Sequence, residues 1–136
     1  MNEPKVNWDE LRQAAQAALE KAYAPYSNFR VGAAALSSDG RLVSGCNVEN
    51  AAYGVTLCAE CALIGELFAT GGGQLEYFLC LGQQDHGQVQ LITPCGRCRQ
   101  LLFEHRAATL TIQTARGLTD ITDLLPDAFG PDNLRS

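Results

Sequence analysis

Four cysteines occur in two closely spaced pairs, and one carboxylate lies inside the first pair. Cys58 and Cys61 flank Glu60, and Cys95 and Cys98 follow later in the chain. Three thiolates can hold a zinc ion and leave its fourth position open for chemistry, whereas four thiolates make a closed structural site. The spacing favours zinc on Cys58, Cys95 and Cys98. Glu60 beside it is then the proton carrier or an ordinary acid in the first turn of a helix, and the spacing alone leaves both roles open.

A closed four-cysteine site is the competing interpretation. The 33 residues between Cys61 and Cys95 hold a predicted helix and strand, whereas zinc-ribbon loops span about 15–20 residues. A closed four-cysteine zinc site would also leave the carboxylate of Glu60, inside the first cysteine pair, unexplained. The spacing does not exclude this alternative, in which the chain is a non-catalytic zinc protein that binds a partner.

The charge of the predicted site needs compensation. Three thiolates on Zn²⁺ leave a net charge of about −1, and so electron-rich a zinc ion acidifies water poorly without positive charge nearby. Arg97 lies between two predicted ligands and Arg99 directly after them. Both are predicted to supply that charge.

Length, charge and apolar content limit the number of domains, the partners and the location that the protein can have. The chain has 136 residues and a net charge of −5, which fits one domain over residues 1–136 and disfavours nucleic acid as a partner. It has no apolar run of about 18 residues and no signal-peptide pattern, so no membrane association and a cytoplasmic location are expected. In that reducing compartment the six cysteines are metal ligands or buried thiols, and Cys46 and Cys80 are predicted to be core residues.

Helical and strand patterns alternate along the chain, which indicates a layered α/β domain. Asn7 begins the first helix, with Glu10 completing a capping box. The other predicted helices run from about 57 to 70 and from 95 to about 106. The predicted strands cover 31–36, 41–47, 75–82, 89–93 and 109–114.

The sequence Cys58-Ala59-Glu60, together with TPCGRCRQ at 93–100, resembles the cytidine deaminases, in particular their small homotetrameric branch with three cysteine ligands. Three further segments look like blocks of that family: 22–33, 45–54 and 124–129. The resemblance covers nearly the whole chain. It implies a three-layer αβα fold with a mixed sheet of about five strands, one Zn²⁺ per subunit, and a homotetramer with shared active sites.

The resemblance also implies a reaction. Cytidine and 2′-deoxycytidine would be hydrolysed to uridine and 2′-deoxyuridine with release of ammonia, as in pyrimidine salvage. Zinc-bound hydroxide would attack C4 while Glu60 shuttles the proton.

Seven residues are predicted to contact this nucleoside. An aromatic face suits stacking on the base, an amide and a carboxylate suit sugar hydroxyls, and a backbone N–H suits the pyrimidine carbonyl. The first role suits Phe29, unless it is a core residue, and the second suits Asn47 and Glu49, unless they are turn residues. By resemblance, the third falls to Ala59, whose N–H occupies the position where the family holds the pyrimidine carbonyl. By resemblance, Ala51, Tyr53 and Phe129 reach the site of a neighbouring subunit.

The chain departs from the family at one position. Many members carry Arg directly after the catalytic Glu, and here that residue is Cys61; Arg97 stands where a small residue is common. We therefore expect the compensating charge to have moved to the second helix start, and Cys61 to be a buried thiol. A blasticidin-S-type deaminase remains an alternative because its second motif is similar, whereas the acidic composition disfavours a nucleic-acid-editing enzyme.

Overall fold

The structure, a computed structural model, describes residues 6–134; residues 1–5 and 135–136 of the predicted domain lie outside the described part. Four α-helices and six β-strands follow one another along it. In chain order these are α1 (Trp8–Leu19), β1 (Phe29–Ser37), β2 (Leu42–Cys46), α2 (Ala59–Ala69), β3 (Leu75–Gln84), β4 (Gln90–Ile92), α3 (Gly96–Glu104), β5 (Arg106–Thr114), β6 (Gly117–Asp120) and α4 (Ile121–Leu124), with 3₁₀ turns at Tyr53–Val55 and Pro131–Leu134. Within these residues, no helix has the length and apolar character needed to span a bilayer.

Helix α1 begins as the sequence predicts. The Asn7 side chain accepts a hydrogen bond from the N–H of Glu10 at 3.2 Å, which caps the helix. Its apolar stripe, which includes Leu11 and Leu19, is buried. The helix ends at Leu19, and the chain then turns to form a bridge between Tyr23 and Val48.

All six strands belong to one mixed sheet, with strand order β2-β1-β3-β5-β6 and β4 paired to β3. Strands β3 and β5 are parallel, and the other pairs are antiparallel. The prediction of a mixed sheet of about five strands is confirmed, with one strand more than the five predicted. The additional strand, β6, is a four-residue partner of β5 at the sheet edge, and its sequence GLTD has only one large apolar residue and so shows no strand pattern.

Helices cover both faces of the sheet, so the three-layer αβα arrangement is confirmed. Helix α1 packs on one face, where Leu11, Leu19 and Leu79 share a buried cluster. Helices α2 and α3 cover the other face, where a larger cluster contains Leu63 and Leu102.

Gly45 on β2 lets α2 approach the sheet. A Cβ atom at Gly45 would lie 2.5 Å from the backbone nitrogen of Leu63 and 2.6 Å from the carbonyl oxygen of Ala59. Backbone atoms cannot yield as a flexible side chain can, so a side chain at Gly45 would push the helix outward. Gly45 thus holds the N-terminal turn of α2 against the sheet.

One edge of β3 is shared by two strands. Up to Phe78 it pairs with β5, and from Cys80 onward it pairs with β4. Helix α3 follows β4 and leads back into β5 through His105. The two strands on this edge, β4 and β5, therefore diverge beside Leu79. The chain that connects them contains the second cysteine pair.

Candidate active site

The three predicted zinc ligands come together at two helix starts. Cys58 is the N-cap residue of α2, Cys95 is the N-cap residue of α3, and Cys98 lies in the first turn of α3. Their Sγ atoms all lie within 4.8 Å of one another. Among the described residues, this potential metal-binding group includes neither Cys61 nor Glu60.

This donor set suits a zinc ion. Tetrahedral zinc with Zn–S bonds of about 2.3 Å places its sulfur ligands about 3.8 Å apart, and small side-chain rotations would bring the three Sγ atoms to that spacing. Three sulfur donors leave one position for water or substrate. Cys58, Cys95 and Cys98 are therefore positioned to bind one Zn²⁺.

The thiols differ in their electrostatic surroundings. Burial acts to raise the pKa of Cys95, but hydrogen bonds from the backbone at Cys98 and Arg97 outweigh it, so the pKa is lowered. This is the stabilisation that a helix N-terminus gives a thiolate. Burial raises the pKa of Cys58 and that of Cys98, the latter also through the Glu60 carboxylate. Of the three thiols, Cys95 is therefore the easiest to deprotonate, and a bound dication would also draw protons from Cys58 and Cys98.

Glu60 lies in the first turn of α2 and is only 3% exposed. Burial raises the pKa of its carboxyl group, and hydrogen bonds with its own backbone and with the Cys98 and Cys80 thiols offset this only in part. A raised pKa makes it easier for a carboxyl group to take up a proton and to pass it on.

A cleft of about 250 Å³ opens over these groups. It lies between the start of β1, the end of β4 and the starts of α2 and α3. Its walls are formed by Phe29, Val31, Asn47, Thr56, Cys58, Ala59, Glu60, Ile92, Thr93, Pro94, Cys95 and Cys98. Sequence reasoning missed Val31, Thr56, Ile92, Thr93 and Pro94, although three of these lie within two residues of a predicted ligand.

The predicted nucleoside contacts separate into groups. Phe29, Asn47 and Ala59 line the cleft. Ala59 is the first residue of α2, where a helix leaves its N–H without a partner inside the helix. Glu49 is not among the lining residues. Its carboxylate accepts hydrogen bonds from the N–H groups of Tyr26 and Ser27, at 2.9 and 3.1 Å, and from the Ser27 hydroxyl.

Asn47 has a structural task that the sequence did not reveal. It is 8% exposed; its Oδ1 accepts from the N–H of Val31 and its Nδ2 donates to the carbonyl of Phe29, both at 2.9 Å. One amide hydrogen and one lone pair remain for other partners. Asn47 thus fixes the start of β1 while facing the cleft.

The three residues predicted to reach a neighbouring subunit lie on the surface. Ala51 is exposed, Tyr53 is 75% exposed and Phe129 is 58% exposed. None of them lines the cleft of its own chain.

The two arginines have different contacts. Nη1 of Arg97 lies 3.3 Å from Sγ of Cys61 and 3.8 Å from Sγ of Cys58. Arg99 donates instead to the carbonyls of Pro94 and Leu124, at 2.8 and 3.0 Å. Of the two, Arg97 is the one that contacts a candidate ligand.

The remaining cysteines are all free thiols. Cys80 is fully buried, as predicted. Cys46 and Cys61 are only partly buried, so the prediction of a core position for Cys46 and that of a buried thiol for Cys61 are both wrong. Cys61 faces the Arg97 guanidinium at the edge of α2 rather than the interior.

Comparisons with known proteins agree with this geometry. The family model of the cytidine and deoxycytidylate deaminase zinc-binding region matches residues 6–114. A cytidine deaminase from Mycobacterium tuberculosis is 53% identical over 131 residues, 96% of each chain. One from Sporosarcina psychrophila is 34% identical over 131 residues, 93% of each chain.

Solved structures give the same result. The crystal structure of cytidine deaminase from Mycobacterium tuberculosis is similar with a TM-score of 0.84 and 53% identity, covering 92% of this chain and 98% of the other. That of cytidine deaminase from Burkholderia pseudomallei has a TM-score of 0.77 and 44% identity, covering 91% of this chain and 100% of the other. With its three-cysteine site and this agreement, the chain belongs to the zinc-dependent cytidine and deoxycytidylate deaminase family of hydrolytic enzymes.

Proposed function

We propose that the protein hydrolyses cytidine and 2′-deoxycytidine to uridine and 2′-deoxyuridine, with release of ammonia, in pyrimidine salvage. One observation carries the proposal: the buried Glu60 carboxyl group lines the same small cleft as Cys58, Cys95 and Cys98. The similarity to proteins named cytidine deaminase supports the choice of substrate.

Glu60 does the proton transfer in this proposal. Bound zinc supplies an activated water molecule. As the water oxygen bonds to C4, Glu60 takes up the water proton and delivers it to N3. The hydroxyl proton then passes through Glu60 to the amino group, the C4–N bond breaks, and ammonia leaves. The carboxylate is regenerated, and water plus cytidine balance uridine plus ammonia.

The cleft residues hold the nucleoside. The Ala59 N–H donates to the pyrimidine carbonyl, the Phe29 ring packs on the base, and Asn47 offers its remaining amide hydrogen to the sugar. Glu49 also serves the sugar end in this proposal. Its present partners in the loop before β1 support an additional role in holding that loop.

Arg97 compensates the negative charge of the thiolates. Its guanidinium reaches Cys58 from the start of α3, and charge-assisted hydrogen bonds of this type reduce the electron density that sulfur gives to a metal. Arg99 was predicted to share this task, but its hydrogen bonds go to the carbonyls of Pro94 and of Leu124, the last residue of α4, and favour a role in holding these two segments in place.

The proposed assembly is a homotetramer in which neighbours complete each site. An exposed apolar surface supports it, built from Tyr23, Tyr26, Val48, Tyr53, Val55 and Leu57. Backbone bridges join Tyr23 to Val48 and Val48 to Leu57, and the rings of Tyr26 and Tyr53 lie 6.2 Å apart. Contiguous apolar surface of this kind is typical of protein interfaces. Ala51, Tyr53 and Phe129, which are all exposed on their own chain, would reach a neighbouring cleft in this assembly.

Two further parts of the proposal concern the chain as a whole. We infer that residues 1–136 form one domain of this family. We also infer a cytoplasmic location, for which the free thiols of the described cysteines are the support.

The test is turnover of defined substrates by the purified, zinc-loaded protein. Cytidine and 2′-deoxycytidine should release ammonia stoichiometrically with uridine formation, whereas cytosine and blasticidin S should react at least about a hundred times more slowly. Glu60→Gln should retain zinc and lose about 10²–10⁴-fold in kcat, the usual contribution of a general acid–base group. Glu66→Gln on the same helix is the matched control. Faster reaction with blasticidin S, or unchanged activity of Glu60→Gln, would contradict the proposal.

A further inference from the structure

Gly82 lies in the middle of the sheet beneath the cleft. It is buried in β3, where its direct partners are Val31 on β1 and Gln90 on β4. Cross-strand partners and residues two apart point to the same face of a sheet. Gly82 therefore shares the face of Phe29 and Ile92, which both line the cleft.

The side chains of these two neighbours occupy the space that a larger residue would need. A Cβ atom at Gly82 would lie 2.6 Å from Cζ of Phe29 and 3.1 Å from Cδ1 of Ile92. Ordinary contact begins at 3.4 Å, so the ring would have to move by about 0.8 Å, the difference between 3.4 and 2.6 Å. Gly82 is not itself a lining residue, and the ring therefore separates it from the cleft.

The backbone of Phe29 is held on both sides. Its N–H donates to the Ser27 hydroxyl at 3.0 Å, and its carbonyl accepts from Nδ2 of Asn47 at 2.9 Å. Ser27 is itself bonded to Glu49. Because the backbone is fixed, the strain of a bulkier residue 82 would be relieved by rotation of the ring away from β3, toward the space where a planar base would lie.

We propose that Gly82 is a positioning residue that sets how far the Phe29 ring projects into the cleft, and thereby the fit of a pyrimidine nucleoside. This rests on the proposed function. Because residue 82 has no side chain, the Phe29 ring can pack directly against the backbone of β3. A misplacement of about 1 Å in a site can cost up to about a hundredfold in kcat/KM, so a displacement of the Phe29 ring by about 0.8 Å, the difference between 3.4 and 2.6 Å, should have a measurable effect.

The test compares Gly82→Ala, Phe29→Leu and their combination in the zinc-loaded protein. Gly82→Ala should raise KM for cytidine about tenfold with kcat within about twofold, and Phe29→Leu should raise KM similarly. The combined variant should be no worse than either single variant, because the shorter side chain no longer meets the new methyl group. Gly65→Ala is the control, since a Cβ atom there meets nothing within 4 Å.

A crystal structure of Gly82→Ala would show the position of the Phe29 ring directly. Displacement of the ring toward the cleft supports the proposal even if the wild-type protein leaves cytidine unchanged, in which case the proposed function alone fails. An unmoved ring, or additive losses of about a hundredfold in KM in the combined variant, would overturn it. If Gly82→Ala does not fold, recovery of folding in the combined variant supports the proposal, and failure to recover overturns it.

Discussion

The guanidinium of Arg97 lies 3.8 Å from Sγ of Cys58, and so links the start of α3 to the start of α2. The contact joins a residue between two predicted zinc ligands to the third ligand, 39 positions earlier in the chain. It gives the site a positive charge that does not come from the residue after Glu60, which is Cys61.

Removal of this charge should weaken zinc binding. In Arg97→Ala the thiolates lose a charge-assisted donor, and we expect zinc to dissociate about 10–100-fold faster in the presence of a chelating dye, the range found when groups that orient metal ligands are removed. Arg97→Lys should recover part of this loss. Arg116→Ala removes the same charge from the exposed turn before β6 and should behave as wild type; equal rates for Arg97→Ala and Arg116→Ala would contradict the assignment.

Cys61 should be dispensable for metal binding. Cys61→Ser should keep one zinc per chain by elemental analysis, because the potential metal-binding group consists of Cys58, Cys95 and Cys98. Cys58→Ser should lose most of its zinc after dialysis against a chelator. If both variants lost zinc equally, the ion would have four sulfur ligands and the closed-site alternative would be correct.

Asn47→Ala should lower the free energy of unfolding by about 1–3 kcal/mol, the cost of leaving a buried donor or acceptor unsatisfied. The substitution removes the partners of the Val31 N–H and the Phe29 carbonyl. Urea denaturation of the zinc-loaded protein measures this cost. Asn50→Ala, an exposed residue nearby, is the comparison, and equal stability of the two variants would show that Asn47 does not hold β1.

Asp120 should make stability depend on pH. Burial acts to raise the pKa of this carboxyl group, but hydrogen bonds from Thr122 and from the N–H of Leu110 outweigh it, so the pKa is lowered in the folded protein. The stabilisation is therefore complete above the unfolded pKa of about 3.9 and is lost as pH falls through the folded pKa.

Denaturant unfolding of wild type and Asp120→Asn at neutral pH and at about pH 3 checks this. The wild-type advantage should be about 0.5 kcal/mol at neutral pH, a small value because the carboxylate is partly exposed and screened, and it should shrink in acid. If the stability difference between wild type and Asp120→Asn instead grew as pH fell, the assigned direction of the Asp120 pKa shift would be wrong.

The parts of the site that depend on local sequence were predictable. Cys58, Glu60, Cys95 and Cys98 were placed at helix starts from their spacing, and the structure brings the three thiols together there. The start of α1 followed from Asn7 because a helix cap is a contact between residues close in sequence.

The parts that depend on distant contacts were not predictable. The different contacts of Arg97 and Arg99 depend on which way each side chain leaves α3, and the sequence does not contain the position of Cys58 or Leu124 relative to that helix. Cys46 shows the same limit: its strand pattern was correct, but its partial exposure depends on how α2 covers β2. Strand β5 begins at Arg106 rather than near residue 109 because its first residue pairs with Leu75, a contact between segments far apart in the chain.

Because β4 and β5 share one edge of β3, the positions at which related chains can gain or lose residues are restricted. The pairing of Cys80 with Ile92 fixes the register of β4, and Cys95 follows only three residues later. Insertions or deletions at the tip of the hairpin, between residues 84 and 90, can therefore be absorbed in the turn without displacing the ligand. A slip of one residue in β4 would shift Thr93 and Cys95 by about 3.3 Å and turn Ile92 to the opposite face. Length polymorphism should be found at the tip and be absent from the three residues that lead to the cysteine.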